Sequence, residues 1–112
     1  MKIAFSTKGE GWDAEMDPRF GRAAYFLIYD EDKDTLETAD NGKVADMAHG
    51  AGPQAAQLLF QYKPDVLITG NGPGGNADRV LRQTGIKIYI GAMSGTVKQA
   101  YDKYKNNELK VF

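Results

Sequence analysis

The sequence contains no cysteine and a single histidine, His49. Without thiols it can form no disulfide, thiolate nucleophile, cysteine-type structural zinc site or iron–sulfur cluster held by its own sulfurs. One imidazole cannot build a histidine-rich zinc site or a His–His acid–base pair. Charge of either sign is not in excess: 14 basic and 15 acidic residues leave a formal net charge of -1. That balance supplies no electrostatic footprint for nucleic acid or for an anionic membrane surface. No apolar run approaches the roughly 18–20 residues needed to cross a bilayer. No signal-type segment precedes the strand-like pattern starting at Lys2, so the cytoplasm is the expected location. That first pattern, Lys2–Thr7, carries no carboxylate either. Two-metal phosphoryl chemistry gathers carboxylates on strand ends, so a nuclease reading is rejected.

What is present is ordinary globular composition, 42% hydrophobic and 26% charged over 112 residues. One core is affordable at this length, and a single domain spanning 1–112 is expected. Ile3 and Phe5 share one face of the first strand. Gly9, Gly11, Pro18 and Gly21 break any period over 8–22, which reads as a long loop. Ala23–Tyr29 is continuously apolar, as in a strand covered on both faces. A polar turn over Asp30–Asp34 leads into a short strand, Thr35–Ala39, and 41–52 reads as a second long loop. Three stripes follow at i, i+3, i+4, i+7: Ala55, Leu58, Leu59, Tyr62; Ala77, Val80, Leu81, Thr84; and Val97, Ala100, Tyr101, Tyr104. Each puts one apolar face on a helix. Pro53 suits a first helical position and Gly85 a left-handed helix end. Strands over Asp65–Thr69 and Ile86–Ile90 separate the helices, the second with the alternation of an edge strand.

The order βββαβαβα predicts an α/β fold: a five-stranded mixed sheet with three helices on its faces. Right-handed crossovers give the strand order 3-2-1-4-5, with the second strand antiparallel. Ligands of open α/β sheets bind at carboxyl strand ends beside such a change of direction. Those ends carry loops 8–22, 70–76 and 91–95, and 41–52 leads into the first helix at the same end. One composite pocket is therefore expected.

Gly70-Asn71-Gly72-Pro73-Gly74-Gly75 follows a strand, opens a helix and matches G-x-G-x-x-G. Such a loop lets backbone N–H groups and a helix N-terminus approach an anion. A dinucleotide site would also want an acidic residue about 20 positions on, where Gly91, Ala92 and Met93 stand, and no Walker Gly-Lys-Ser/Thr follows. Gly91-Ala92-Met93-Ser94-Gly95-Thr96 is a second small-residue loop, in which Ser94 or Thr96 can cap the next helix. Arg19 and Arg22 flank Phe20 and Gly21, and guanidinium forks suit carboxylates, phosphates and oxoanions; Phe20 can equally anchor its loop. His49 is a candidate single metal ligand that Asp46, Met47 or Met16 could assist, or a surface residue. Trp12 reads as a loop plug or a ligand lid.

Asp17-Pro18-Arg19-Phe20-Gly21-Arg22-Ala23 resembles the His-Phe-Gly-Arg segment of the dinitrogenase iron-molybdenum cofactor-binding family, which takes in NifX, NifY, the C-terminal part of NifB and stand-alone orange-protein-like members. His49-Gly50-Ala51-Gly52, Val66–Gly74 and Gly91-Ala92-Met93-Ser94-Gly95-Thr96-Val97 resemble three further segments, in order, over about residues 2–110. The resemblance implies an RNase H-like three-layer fold without nuclease activity. It also implies a non-enzymatic protein that binds or carries a preassembled iron-molybdenum or other metal–sulfur cluster as cargo, with cofactor-assembly proteins as partners. Family members often have histidine where Arg19 stands, so His49 alone carries over as a direct ligand. Arg19, Phe20, Gly21, Arg22, Gly70, Asn71, Gly72, Gly74, Gly75, Ser94, Gly95 and Thr96 are the candidate cofactor-binding residues. The alternatives are a small-molecule or nucleotide-responsive module using Gly70–Gly75, and a regulatory or scaffold domain acting through a protein partner.

Overall fold

The computed structural model describes residues 1–112. The chain forms β1 (Lys2–Thr7), β2 (Tyr25–Asp30), β3 (Thr35–Asp40), α1 (Gly42–Ala45), α2 (Ala51–Phe60), β4 (Val66–Ile68), α3 (Gly75–Arg82), β5 (Lys87–Ile90), α4 (Val97–Lys105) and β6 (Lys110–Val111). The strands make one mixed sheet in the order β3-β2-β1-β4-β5-β6. β1 pairs antiparallel with β2, Phe5 opposite Leu27, and parallel with β4, Phe5 opposite Ile68. The connection therefore reverses its direction of travel across the sheet between β1 and β4, as the sequence pattern predicts.

Strand alternation sorts side chains into two cores. Ala4, Phe26, Ile28, Leu67 and Ile88 face α2 and α3, where Ala55, Ala56, Leu59, Ala77 and Leu81 meet them. Ile3, Phe5, Leu27, Val66 and Ile68 face α4 through Val97 and Ala100. Small alanines on the helix side let the helices lie close to a sheet that supplies the bulk. Phe26, Leu27 and Ile28 are all buried, which bears out a strand covered on both faces.

Five strands and three helices were expected; there are six and four. β6 pairs antiparallel with β5, Tyr89 opposite Val111, and the Phe112 N–H donates to Ile88 O at 2.9 Å. The strand over Ile86–Ile90 is thus interior, not an edge. α1 lies within the segment read as loop. A two-residue strand and a one-turn helix that buries no residue are too short to display a period. Pro53 falls third in α2, which starts at Ala51. Its missing N–H still lies among the first-turn groups that have no helical partner, so it costs the helix no bond.

Residues 8–22 are not a free loop. Thr7 bridges Met16, and Glu15 bridges Thr96. Val97 N–H donates to Ala14 O at 2.9 Å and Lys98 N–H to Trp12 O at 3.0 Å, tying the segment to the start of α4.

Candidate functional site

The carboxyl ends of β1, β4 and β5 bring the expected segments together. Asn71 N–H donates to Pro18 O at 2.9 Å, Gly91 N–H to Gly70 O at 3.0 Å and Met16 N–H to Gly95 O at 2.9 Å. A Cβ on Gly70 would stand 2.5 Å from Pro18 Cα, and one on Gly21 would stand 3.0 Å from Gly52 Cα. Segments 16–22, 46–52, 70–76 and 91–96 thus meet, but on a shallow surface rather than in an enclosed pocket. Two clefts of the fold lie elsewhere: one sits at the opposite sheet end, lined by Leu59, Lys63, Asp65 and Ile86. Another lies against α4, lined by Trp12, Tyr29 and Tyr101.

Three helices begin at this end, and they begin differently. At α4 the Thr96 Oγ1 accepts from Gln99 N–H at 3.2 Å while Gln99 Oε1 accepts from Thr96 N–H at 2.9 Å. This reciprocal cap occupies the donors that a ligand would use, so Thr96 is committed to the helix. α2 starts after Gly50, in the left-handed conformation at φ 75°, with no side-chain cap. α3 starts after Gly74, also uncapped. The first helical bonds are Gln54 N–H to Gly50 O at 3.2 Å and Asp78 N–H to Gly74 O at 2.8 Å. That leaves the N–H groups of Ala51 and Gly52, and those of Gly75, Asn76 and Ala77, without a protein acceptor. The two starts adjoin, since a Cβ on Gly52 would lie 3.3 Å from Ala77 Cβ. Two positive dipole ends are therefore directed at one patch.

Arg19 stands between Pro18 and Gly21, the residues that pack on Gly70 and Gly52. Its Nε donates to Asp17 Oδ1 at 3.1 Å and its Nη2 to Asp17 Oδ2 at 3.0 Å. That hydrogen bond, with the carboxylate's charge, raises the Arg19 pKa. Asp17 is 1% exposed, so the fork is held from below while its outer N–H groups face solvent. Arg22 Nη1 donates to Ala45 O at 2.9 Å and also to Met47 O, tying down the segment before α2. His49 is exposed and lies immediately before Gly50.

The other candidates divide. Gly74 and Gly75 have open space at their Cβ positions, whereas one on Gly72 would meet the Phe112 ring at 2.7 Å. Gly70 and Gly72 thus serve internal packing. Asn71 and Ser94 are exposed, and Gly95 holds Met16. Phe20 is 3% exposed and its ring packs on Phe26 at 5.2 Å between centroids, so it anchors the loop from within the core. Met16 is likewise buried. No group of three or more histidine, cysteine or acidic side chains is placed to hold a metal ion.

Sequence reasoning missed the supports. Ser6 Oγ donates to Asp17 O at 2.7 Å and lies 2.7 Å from Thr69 Oγ1. Its single proton being so used, Thr69 is the donor of that pair, and the two hydroxyls lock the ends of β1 and β4 under the loop. Asn41, fully buried, donates to Gly21 O at 3.2 Å and Ala23 O at 2.8 Å. Polar residues at the ends of otherwise apolar strands are the only signal that could have found them.

The model of the dinitrogenase iron-molybdenum cofactor family matches residues 1–107. The apo form of the orange protein from Desulfovibrio gigas is similar at 37% identity, over 99% of this chain and 92% of that one, with a TM-score of 0.92. A putative NifB protein from Thermotoga is similar at 33% identity, over 98% and 91% of the two chains, with a TM-score of 0.85. No curated protein matches significantly.

Proposed function

The chain belongs to the dinitrogenase iron-molybdenum cofactor family, and from that premise we propose that it is a non-enzymatic binding or carrier protein for an anionic metal–sulfur cluster during cofactor assembly. The observation that carries this reading is the pair of adjoining, uncapped helix starts at Gly50 and Gly74, beside a capped one at Thr96. The unpaired N–H groups at these two helix starts, with Gly75 and Asn76 the exposed ones, the outer face of Arg19 and the imidazole of His49 make a cradle for a preassembled anion. The donor set fits cargo of that kind. With no thiol and one histidine, a cluster would be held by charge and N–H groups, with His49 as its one direct ligand. Cofactor-assembly proteins are the partners this role requires. A nucleotide reading of Gly70–Gly75 draws less support, because Pro18 and Phe112 fill the space over Gly70 and Gly72.

The test is anaerobic titration of the isotope-labelled protein with tetrathiomolybdate, followed by absorbance and amide shifts. Saturable shifts at 19–22, 49–52 and 74–77, weakened in Arg19→Ala and His49→Ala, are expected. Absence of saturable shifts, or shifts confined to other segments, overturns the reading.

A further inference from the structure

The sheet face that carries α4 has an aromatic cleft separate from the loops above. Trp12, Tyr29 and Tyr101 meet one another at centroid distances of 4.8 Å (Trp12–Tyr29), 5.6 Å (Trp12–Tyr101) and 5.4 Å (Tyr29–Tyr101), with steeply inclined planes. Phe5 backs them from the core, 6.3 Å from Trp12 and 6.5 Å from Tyr101. All three outer rings are half-buried. With Asp13, Asp34 and Lys98 they line a cavity of about 440 Å³, within the range of about 300–1,000 Å³ common for small-molecule sites.

The lining is biased toward cations. The Lys98 ammonium is committed to Asp102 at 2.8 Å, which leaves the Asp13 and Asp34 carboxylates as the uncompensated charge. Asp13 has neither an ion-pair nor a hydrogen-bond partner in the chain. Tyr29 OH donates to Asp34 Oδ1 at 2.7 Å, and Tyr101 OH to Glu31 Oε2 at 2.6 Å. A phenol that donates to a carboxylate gains electron density on its ring face, where a cation is attracted. Both phenols are pushed up to about 12, Tyr29 chiefly by that hydrogen bond and Tyr101 chiefly by burial, so both rings remain neutral near pH 7. The chain already uses this property: Lys105 Nζ stands 5.7 Å from the Tyr101 centroid while paired with Glu31 at 2.8 Å. A cluster of three half-buried aromatic side chains beside two carboxylates, with the one lysine of the lining paired to Asp102, favours a cation wrapped in methyl groups over a strongly hydrated bare ammonium.

We propose that this cleft is a binding site for a small quaternary or N-methylated ammonium cation. The site is independent of the cluster surface, and its carboxylates would repel an anionic cluster.

Trp12 is the only tryptophan, so its fluorescence reports on the cleft alone. Choline is titrated into the full chain, with sodium chloride at equal ionic strength and dimethylbutanol, the uncharged carbon isostere of choline, as references. A saturable change with choline, absent with the alcohol and the salt, is the expected result. Affinity should fall roughly three- to tenfold in Asp34→Asn, on the scale of cation–π and charge contacts at a half-exposed site. Asp34 sits at φ 52°, a conformation asparagine also tolerates, and Asp13→Asn at the unpaired position is a second variant that spares the fold. No saturable change, an equal response to the alcohol, or unchanged affinity in both variants overturns the proposal. Binding of a trimethyl-lysine peptide far tighter than choline would assign the cleft to a protein partner and overturn it as well.

Discussion

The Arg19 guanidinium lies in a two-point contact on the Asp17 carboxylate, at 3.1 and 3.0 Å, with the acid buried and the base largely in solvent. The pair is a support as well as a candidate contact surface. Arg19→Ala leaves the buried carboxylate with the backbone N–H of residue 19 as its remaining partner in this pair, at 2.9 Å. A loss of about 1–3 kcal/mol follows from an underpaired buried charge, at the lower end because Arg19 is exposed. Arg19→Lys, lacking the fork, should recover only part of it. Urea midpoints of the two variants and of the Asp17→Asn/Arg19→Ala double variant check this. The double variant should be less destabilised than the two single losses added together.

The contrast in helix caps predicts a trade between stability and binding. Gly74→Asp places a capping carboxylate where the backbone is already extended, at φ -66° and ψ 169°, and where space is open. A gain of about 0.5–1 kcal/mol is expected from the cap and from the reduced freedom of the unfolded chain. Tetrathiomolybdate binding should weaken at the same time, because the new charge occupies the donors and repels the anion. Thr96→Ala, at the start already capped, should cost about 1 kcal/mol and leave that binding unchanged. Chemical denaturation and anion titration of both variants measure the two effects together.

Glycines of one loop should respond oppositely to the same change. At Gly70 a methyl group would meet the Pro18 backbone, so Gly70→Ala should destabilise by about 1–3 kcal/mol through forced backbone movement. Gly75→Ala lies in the open first turn of α3 and should be neutral or stabilising by up to about 1 kcal/mol. Thermal midpoints of the two proteins distinguish the positions.

The charged and phenolic groups around α4 set the pH limits of the fold. Tyr29 and Tyr101 titrate near 12 instead of 10, so their stabilising effect is complete below about pH 10 and is lost as pH rises toward 12. Lys105 is raised by Glu31 and acts in the same direction, its contribution lost above its ordinary range. Glu31 is lowered by Lys105 and then by Tyr101, so its contribution is present above pH 4.5 and is lost as pH falls through the lowered value. Burial raises Tyr104 as well, so three of the six tyrosines should ionise late in a spectrophotometric titration. Stability measured by urea should decline between pH 10 and 12, and Glu31→Gln should reduce the acid-side loss.

Much of the architecture was legible in the chain. Apolar stripes located α2, α3 and α4, and continuous or alternating apolar runs located β1, β2, β4 and β5. Handedness rules then ordered those strands correctly, because they depend only on local twist and connection length. The loops over 16–22, 46–52, 70–76 and 91–96 were also legible as neighbours, since carboxyl strand ends converge wherever a parallel pair forms. Phe20 and Thr96 show the limit. A loop phenylalanine and a pre-helix threonine look alike whether they meet a ligand or the protein's own core and helix.

Residue types and their spacing thus determined the fold class, the exclusion of thiolate chemistry and the end of the sheet that carries the glycine loops. Tertiary structure alone decided which donors there are free. Gly70 is closed by Pro18, Gly72 by Phe112 and Thr96 by Gln99, while the space over Gly74 and Gly75 remains open. It also added β6 and gathered Trp12, Tyr29 and Tyr101 into one cleft. The physical reason is separation along the chain. Periodicity and turn chemistry are written into neighbouring residues, but whether a donor is satisfied or a space filled depends on residues brought there by folding from tens of positions away.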